Sequence, residues 1–263
     1  MSMELLKNQY KNSSNLHARI SLHELFSTNK KDWHIWLMEQ YDIPDNSRIL
    51  ELGCGNGVFW GKNKSRVSNS WRITLSDFSE GMLEDAEKNI GAMTNIKYEQ
   101  INIVDIPYDD NSFDVVIVNH MLYHVPDIDK ALTEVRRVLS PTGKFYTATN
   151  GEEHLIEINT LLHEFNEQLV YPRENAKKFG LENGMQLLNR YFSHTHLTNF
   201  EGNLEVTEMN PLVQYILSIN TNIKEILTHD ELQKFNEFIK NKQNQNNGMI
   251  NITKATGLFT ALP

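Results

Sequence analysis

The residues best suited to chemistry form the run Glu51-Leu52-Gly53-Cys54-Gly55-Asn56-Gly57, with Asp77 downstream of it. Glycines at alternate positions let the backbone turn sharply and approach a ligand that any Cβ would hold off. A turn leaving the carboxyl end of a strand lies where doubly wound sheets bind ligands. A helix starting after it offers unpaired N–H groups to polar atoms. A dinucleotide site has the spacing G-x-G-x-x-G. Here the third glycine comes one residue early, and the acid Glu51 stands just before the turn. That pattern suits a ligand with no pyrophosphate and with groups that favour acids. Asp77, at the end of the following strand, is placed to accept hydrogen bonds from both hydroxyls of a ribose.

The elements that hold these residues follow an alternating order. Residues 48–52, 71–76, 95–101, 113–118 and 144–148 read as strands, the fourth apolar enough to be buried on both faces. Ser79 is placed to cap a helix over 80–90, and a second helix spans about 128–139 until Ser140-Pro141-Thr142-Gly143 stops it. Repeated strand–helix units predict parallel pairing with right-handed crossovers. Residues 1–45 read as an N-terminal helical lid segment, and 46–263 as the main domain. Segments 151–190 and 208–247 read as caps inserted into it, with helices over 152–169 and 211–242. Short strands are expected at 191–198 and 204–207, and a turn near Thr256-Gly257 precedes a last strand.

S-adenosylmethionine fits the ligand described, because it carries an ammonium, a carboxylate, a sulfonium and a ribose diol but no pyrophosphate. The strings Ile49-Leu50-Glu51-Leu52-Gly53-Cys54-Gly55-Asn56-Gly57, Leu75-Ser76-Asp77-Phe78-Ser79-Glu80-Gly81-Met82-Leu83 and Phe113-Asp114-Val115-Val116 resemble the class I S-adenosylmethionine-dependent methyltransferases. The likeness extends through Ile106-Pro107-Tyr108-Asp109 and the stretch 131–144, and points to the small-molecule group that includes the ubiquinone and menaquinone C-methyltransferases. The resemblance implies an α/β fold: a doubly wound, mostly parallel seven-stranded sheet ending in an antiparallel hairpin, with helical lid elements. It also implies that Glu51, Gly53, Cys54, Gly55 and Gly57 border the methionine part of the cofactor and that Asp77 holds the ribose. Phe78 and Met82 would flank ribose and adenine, and Asn102 and Ile103, or Asp105 in a shifted register, would meet the adenine edge where relatives often carry an acid. Asn119 would border the methionine end, and Tyr10 and Arg19 would close over the cofactor from the lid segment.

The sulfonium makes the methyl group electrophilic, so the protein must above all align the acceptor and exclude water. A base is needed only for an acceptor that enters protonated. His120, on the loop after the fourth strand, is the first candidate and His154, after the fifth, the second. Pocket shaping for His120 and helix capping for His154 are the competing structural readings. His120 and His124 have no evident third ligand, so no metal is expected.

Composition bounds the partners. With a formal net charge of −9 and only scattered basic pairs, the chain is a poor nucleic-acid binder. No stretch reaches the roughly 20 apolar residues of a membrane span. One cysteine, Cys54, and an opening without an apolar leader give the expectation of a cytoplasmic protein acting on a small-molecule acceptor. Oligomeric state is not legible.

Overall fold

Strands form here where apolar runs can be covered on both sides. The computed structural model describes residues 14–169, 171, 174–219 and 221–263, with side chains from residue 20 onward except at 221 and 222. Helices α1 (Ser14–Phe26) and α2 (Trp33–Gln40) lead into β1 (Arg48–Leu52), α3 (Val58–Lys62), β2 (Arg72–Asp77), α4 (Glu80–Ile90), β3 (Ile96–Gln100), β4 (Phe113–Ile117), α5 (Ile128–Val138) and β5 (Leu139–Asn150). There follow α6 (Ile156–Phe165), α7 (Glu174–Lys178), α8 (Gly184–Leu188), β6 (His194–Asn199), β7 (Leu204–Val206), α9 (Met209–Ile219), α10 (Thr221–Ile226), α11 (His229–Gln245), β8 (Ile250–Ile252) and β9 (Thr256–Leu262).

The main sheet has seven strands in the order β3-β2-β1-β4-β5-β9-β6. Strands β1 to β5 are parallel, and β9 runs antiparallel to both β5 and β6. This is the expected doubly wound sheet, and its antiparallel element is the β6–β9 pair. Alternation sorts side chains to two faces. Leu50, Leu52, Val116 and Phe145 pack with Ala131, Leu132 and Val135 of α5. Ile49, Ile73, Val115 and Ile117 pack on the other side with Trp60 and with Ala86 and Ile90 of α4. Each fully buried aliphatic side chain contributes about 1.5–3 kcal/mol. Both crossover helices start at caps: Ser79 Oγ accepts from Met82 N at 3.4 Å, and Asp127 Oδ1 from Lys130 N at 2.9 Å.

Two elements differ from expectation. Ser140-Pro141-Thr142-Gly143 is not a loop, because α5 passes directly into β5, which begins at Leu139. The β4–β5 register shifts between Phe113 and Val115, and a bulge of that kind seats an exposed proline without a ladder bond. The helical stretch 211–242 is divided into α9, α10 and α11, the last restarting after Thr228 with Asp230 and Glu231 in its first turn.

A further apolar cluster sits where β5 leaves the sheet and β9 returns. It joins Leu22 and Phe26 of α1 to Ile158 and Leu162 of α6, Leu212 and Ile216 of α9, Phe235 and Ile239 of α11 and the β7–β8 pair. The N-terminal helix and the segment between β5 and β9 therefore share one core at the carboxyl edge of the sheet. Among the described residues, no helix is long and apolar enough to cross a membrane.

Candidate functional site

At the tip of β1 the chain turns through three left-handed glycines, Gly53 (φ 77°), Gly55 (φ 56°) and Gly57 (φ 71°). The N–H groups of Gly53 and Cys54 both donate to Ser76 O at 2.8 Å, which lashes the turn to the end of β2. A Cβ on Gly55 would meet nothing within 4 Å, so the outer side of the turn is open. A Cβ on Gly57 would stand 2.8 Å from Ile90 Cδ1 and 3.0 Å from the Ala86 backbone. Gly57→Ala combines a left-handed backbone with a clash against α4, and is expected to cost about 3 kcal/mol of stability in urea unfolding.

Two acids bracket this turn. Glu51 is buried on β1, and its carboxylate accepts from the indole Nε1 of fully buried Trp60. Burial raises its pKa to about 7; the indole hydrogen bond opposes that rise and the charge of Asp77 adds to it. Asp77 is half-buried at the end of β2. Its Oδ2 accepts from Gly55 N at 3.0 Å and its Oδ1 from Ser79 N at 2.9 Å. Burial raises its pKa too, against hydrogen bonds from Ser79, Gly55 and Phe78. The pair is an electron-rich pocket with no described cation paired to it, which fits a ligand that brings a positive charge. Burial, Glu51 and Asp77 push the Cys54 thiol well up, so it stays protonated and is no nucleophile.

The loop after β4 closes the inner side. Met121 lies against the turn, since a Cβ on Gly53 would come 2.8 Å from Met121 Cγ. Asn119 donates from Nδ2 to Tyr41 Oη at 2.8 Å, and its Oδ1 accepts from Ala148 N at 3.2 Å. Trp60 packs against the sheet, as its sequence context suggests, but its bond to Glu51 and the contacts of Tyr41 and Met121 are marked by no local pattern.

His120 has φ 51°, donates its backbone N–H to Ala148 O at 2.8 Å and stacks obliquely on Trp33, 5.5 Å between ring centres. Burial, then His34 and His124, lower its pKa to about 4. It is neutral at physiological pH and can accept a proton or a hydrogen bond. His154 sits after β5, with Nδ1 3.2 Å from Ala255 N and 3.3 Å from Thr256 Oγ1. It is bound to the β8–β9 connection rather than to the glycine turn.

The remaining candidates scatter. Phe78 is 39% exposed beside Asp77, whereas Met82 is buried inside α4. Asn102 Oδ1 accepts from Val104 N at 3.3 Å, and Ile103 is buried in the sheet's core. Tyr10 lies outside the described residues, as does the side chain of Arg19. Among the described residues no group of three or more His, Cys, Asp or Glu side chains is arranged to hold a metal ion.

Residues 50–147 match the family described as methyltransferase domain. The ubiquinone/menaquinone biosynthesis C-methyltransferase of Haemophilus ducreyi is 34% identical over 115 residues, 43% of this chain and 44% of that protein. Its counterpart in Rickettsia akari is 39% identical over 110 residues, 39% of this chain and 44% of that protein. The demethylmenaquinone methyltransferase of Staphylococcus epidermidis is 34% identical over 113 residues, 43% of this chain and 47% of that protein. The chain thus matches less than half the length of these curated relatives. Among solved structures, phosphoethanolamine N-methyltransferase 2 of Haemonchus contortus, in complex with S-adenosylmethionine, superposes with TM-score 0.60 at 16% identity, over 98% of this chain and 59% of that one. The (4+2)-cyclase SpnF superposes with TM-score 0.59 at 15% identity, over 98% of this chain and 96% of that one. These likenesses show a shared fold, and a cyclase on that fold means the fold alone does not fix the reaction.

Proposed function

We propose that this chain, whose residues 50–147 are a class I S-adenosylmethionine-dependent methyltransferase domain related to the ubiquinone and menaquinone C-methyltransferases, transfers a methyl group from S-adenosylmethionine to a small-molecule acceptor. The observation that carries the reading is the open left-handed turn at β1, flanked by Glu51 and tied by Gly55 N to Asp77. The chemistry supplied by the cofactor is an electrophilic methyl on a sulfonium.

The protein's own residues supply the rest. Asp77 exchanges its hold on Gly55 for the ribose diol, and Phe78 packs beside the ribose and adenine. Glu51 offsets the ammonium through a backbone group or water, and Asn119, braced by Tyr41, borders the methionine end. Asn102 and Ile103 serve the adenine edge through their backbone and amide groups. The segments 1–45, 151–190 and 208–247 cover the acceptor side and exclude water. A cytoplasmic location accompanies this reading, supported by the single thiol.

His120 takes the proton from an acceptor that enters protonated. With its pKa near 4, the ring stays unprotonated well below neutrality, so kcat at saturating S-adenosylmethionine should show no acid limb from this residue down to about pH 5. His120→Asn should lower kcat at least tenfold while leaving S-adenosylhomocysteine affinity within twofold, as read by steady-state kinetics and calorimetry.

Incubation of the protein with methyl-labelled S-adenosylmethionine and a host metabolite extract tests the function. Label in a low-mass product identified by mass spectrometry is expected. Label found only in RNA or polypeptide would overturn the small-molecule reading, and no transfer to any pool would leave a binding protein.

A further inference from the structure

On the acceptor side, three basic side chains from distant parts of the sequence face one another. His23 comes from α1, His154 from the turn after β5 and Lys254 from the connection into β9. The rings of His23 and His154 stack at 5.9 Å with an interplanar angle of 11°. Ala255 N donates to Nδ1 of His154, which leaves the proton of the neutral ring on Nε2, free to donate elsewhere. Lys254 Nζ donates to Ser27 Oγ at 3.0 Å and lies 4.7 Å from the centre of the Phe200 ring.

No carboxylate among the described residues pairs with Lys254, although it is half-buried. Glu157, which meets the chain beside Lys254, is occupied by the N–H and hydroxyl of Thr253. A lysine withdrawn from water without a counter-charge is costly. Burial holds Lys254 down to about 8. Burial, then Lys254 and His120, hold His23 down to about 3. Burial, then His23, His120 and Lys254, keep His154 well below its usual range. Of the other titratable groups, His34 and His124 act on His120, Tyr215 lies 6.1 Å from His23 edge-on, and the exposed Glu152 lines the cavity beside His154.

His120 is common to both surroundings: it acts on His23 and His154 on one side, and the next residue, Met121, abuts Gly53 on the other. A cavity of about 80 Å³ opens beside His154, lined also by Asn150, Tyr123, Tyr171 and the exposed Glu152. We infer that His23, His154 and Lys254 form a recognition site for an anionic group, a carboxylate or a phosphate, carried by the methyl acceptor away from the atom methylated. The acceptor then spans from this cluster past His120 to the glycine turn. The site rests on the methyltransferase reading for the identity of its ligand as the acceptor.

An anion there favours the charged form of Lys254, so its binding takes up a proton on that lysine near pH 8 and weakens as Lys254 deprotonates above that pH. The test is calorimetry on the full chain loaded with S-adenosylhomocysteine, titrated with benzoate, phenyl phosphate and the neutral benzamide. At least one anion should bind ten times more tightly than benzamide, and the comparison of the two anions decides between carboxylate and phosphate. Titration at pH 8 in two buffers of different ionisation enthalpy should show proton uptake, retained in His23→Asn because the proton goes to Lys254. Lys254→Met should weaken the anion at least tenfold and Lys254→Arg should restore it to within threefold. In all three variants S-adenosylhomocysteine affinity should stay within twofold, which also reports that they fold. Equal binding of benzamide and both anions, or no effect of Lys254→Met, would overturn the inference. Failure of S-adenosylhomocysteine to bind, with anion selectivity retained in its absence, would sink the methyltransferase reading and leave the anion site standing.

Discussion

Asp77→Ala should weaken S-adenosylhomocysteine binding at least hundredfold. A carboxylate accepting from two hydroxyls makes two charge-assisted hydrogen bonds, each worth about 1.5–3 kcal/mol, so losing both exceeds the roughly 2.7 kcal/mol that a hundredfold change requires. Without ligand those oxygens are used instead by Gly55 N and Ser79 N. Asp77→Asn keeps one accepting oxygen and should lose about tenfold. Burial already raises the pKa of Asp77, so removing its charge does not threaten the fold. The urea midpoint of Asp77→Asn should match or exceed that of the parent, which separates lost binding from lost structure.

Glu51→Gln should produce opposite effects on stability and on binding. The folded protein holds this carboxyl's pKa near 7, against an ordinary value of 4.5. Between those values the folded state keeps a proton that the unfolded state has released, so stability falls as pH rises through the window. Above it the cost of the buried charge is complete, about 3 kcal/mol. Glutamine keeps an oxygen for the Trp60 indole and has no charge to bury. The variant should therefore unfold at a higher temperature than the parent at pH 8, with little difference at pH 5. Its affinity for S-adenosylhomocysteine should drop about tenfold, because the ammonium loses its counter-charge. The parent should release protons on binding near pH 7 and bind more tightly from pH 6 to 8; the variant should do neither.

Local rules explain what the sequence disclosed of this fold. The apolar runs of β1, β2 and β4, the cap at Ser79 and the glycine spacing each express a requirement met within a few residues. The end of α5 misled because Pro141 and Gly143 signal a turn in isolation, whereas the bulge opposite Phe113 lets β5 absorb both. The pairing of β7 with β8 is hidden by the helices between them. Polar residues at 220–222 and 228–231 were not enough to mark where the long helical stretch divides.

The glycine turn and the place of Asp77 at the end of β2 were legible because backbone handedness and strand-end position are sequence-local properties. Trp60 beneath Glu51, Tyr41 on Asn119 and Met121 over Gly53 were not, since each is set by packing between elements. The basic cluster was the least visible. His23, His154 and Lys254 stand far apart in sequence and meet only because α1 shares a core with the segment between β5 and β9.

Calorimetric titration of the parent chain with S-adenosylhomocysteine is the most direct measurement. One site per chain, with affinity that climbs as Glu51 ionises and collapses in Asp77→Ala, is the predicted result. Absence of heat at any pH, or an Asp77→Ala isotherm that overlays the parent's, would contradict the assignment of the β1 turn as the methyl donor's seat.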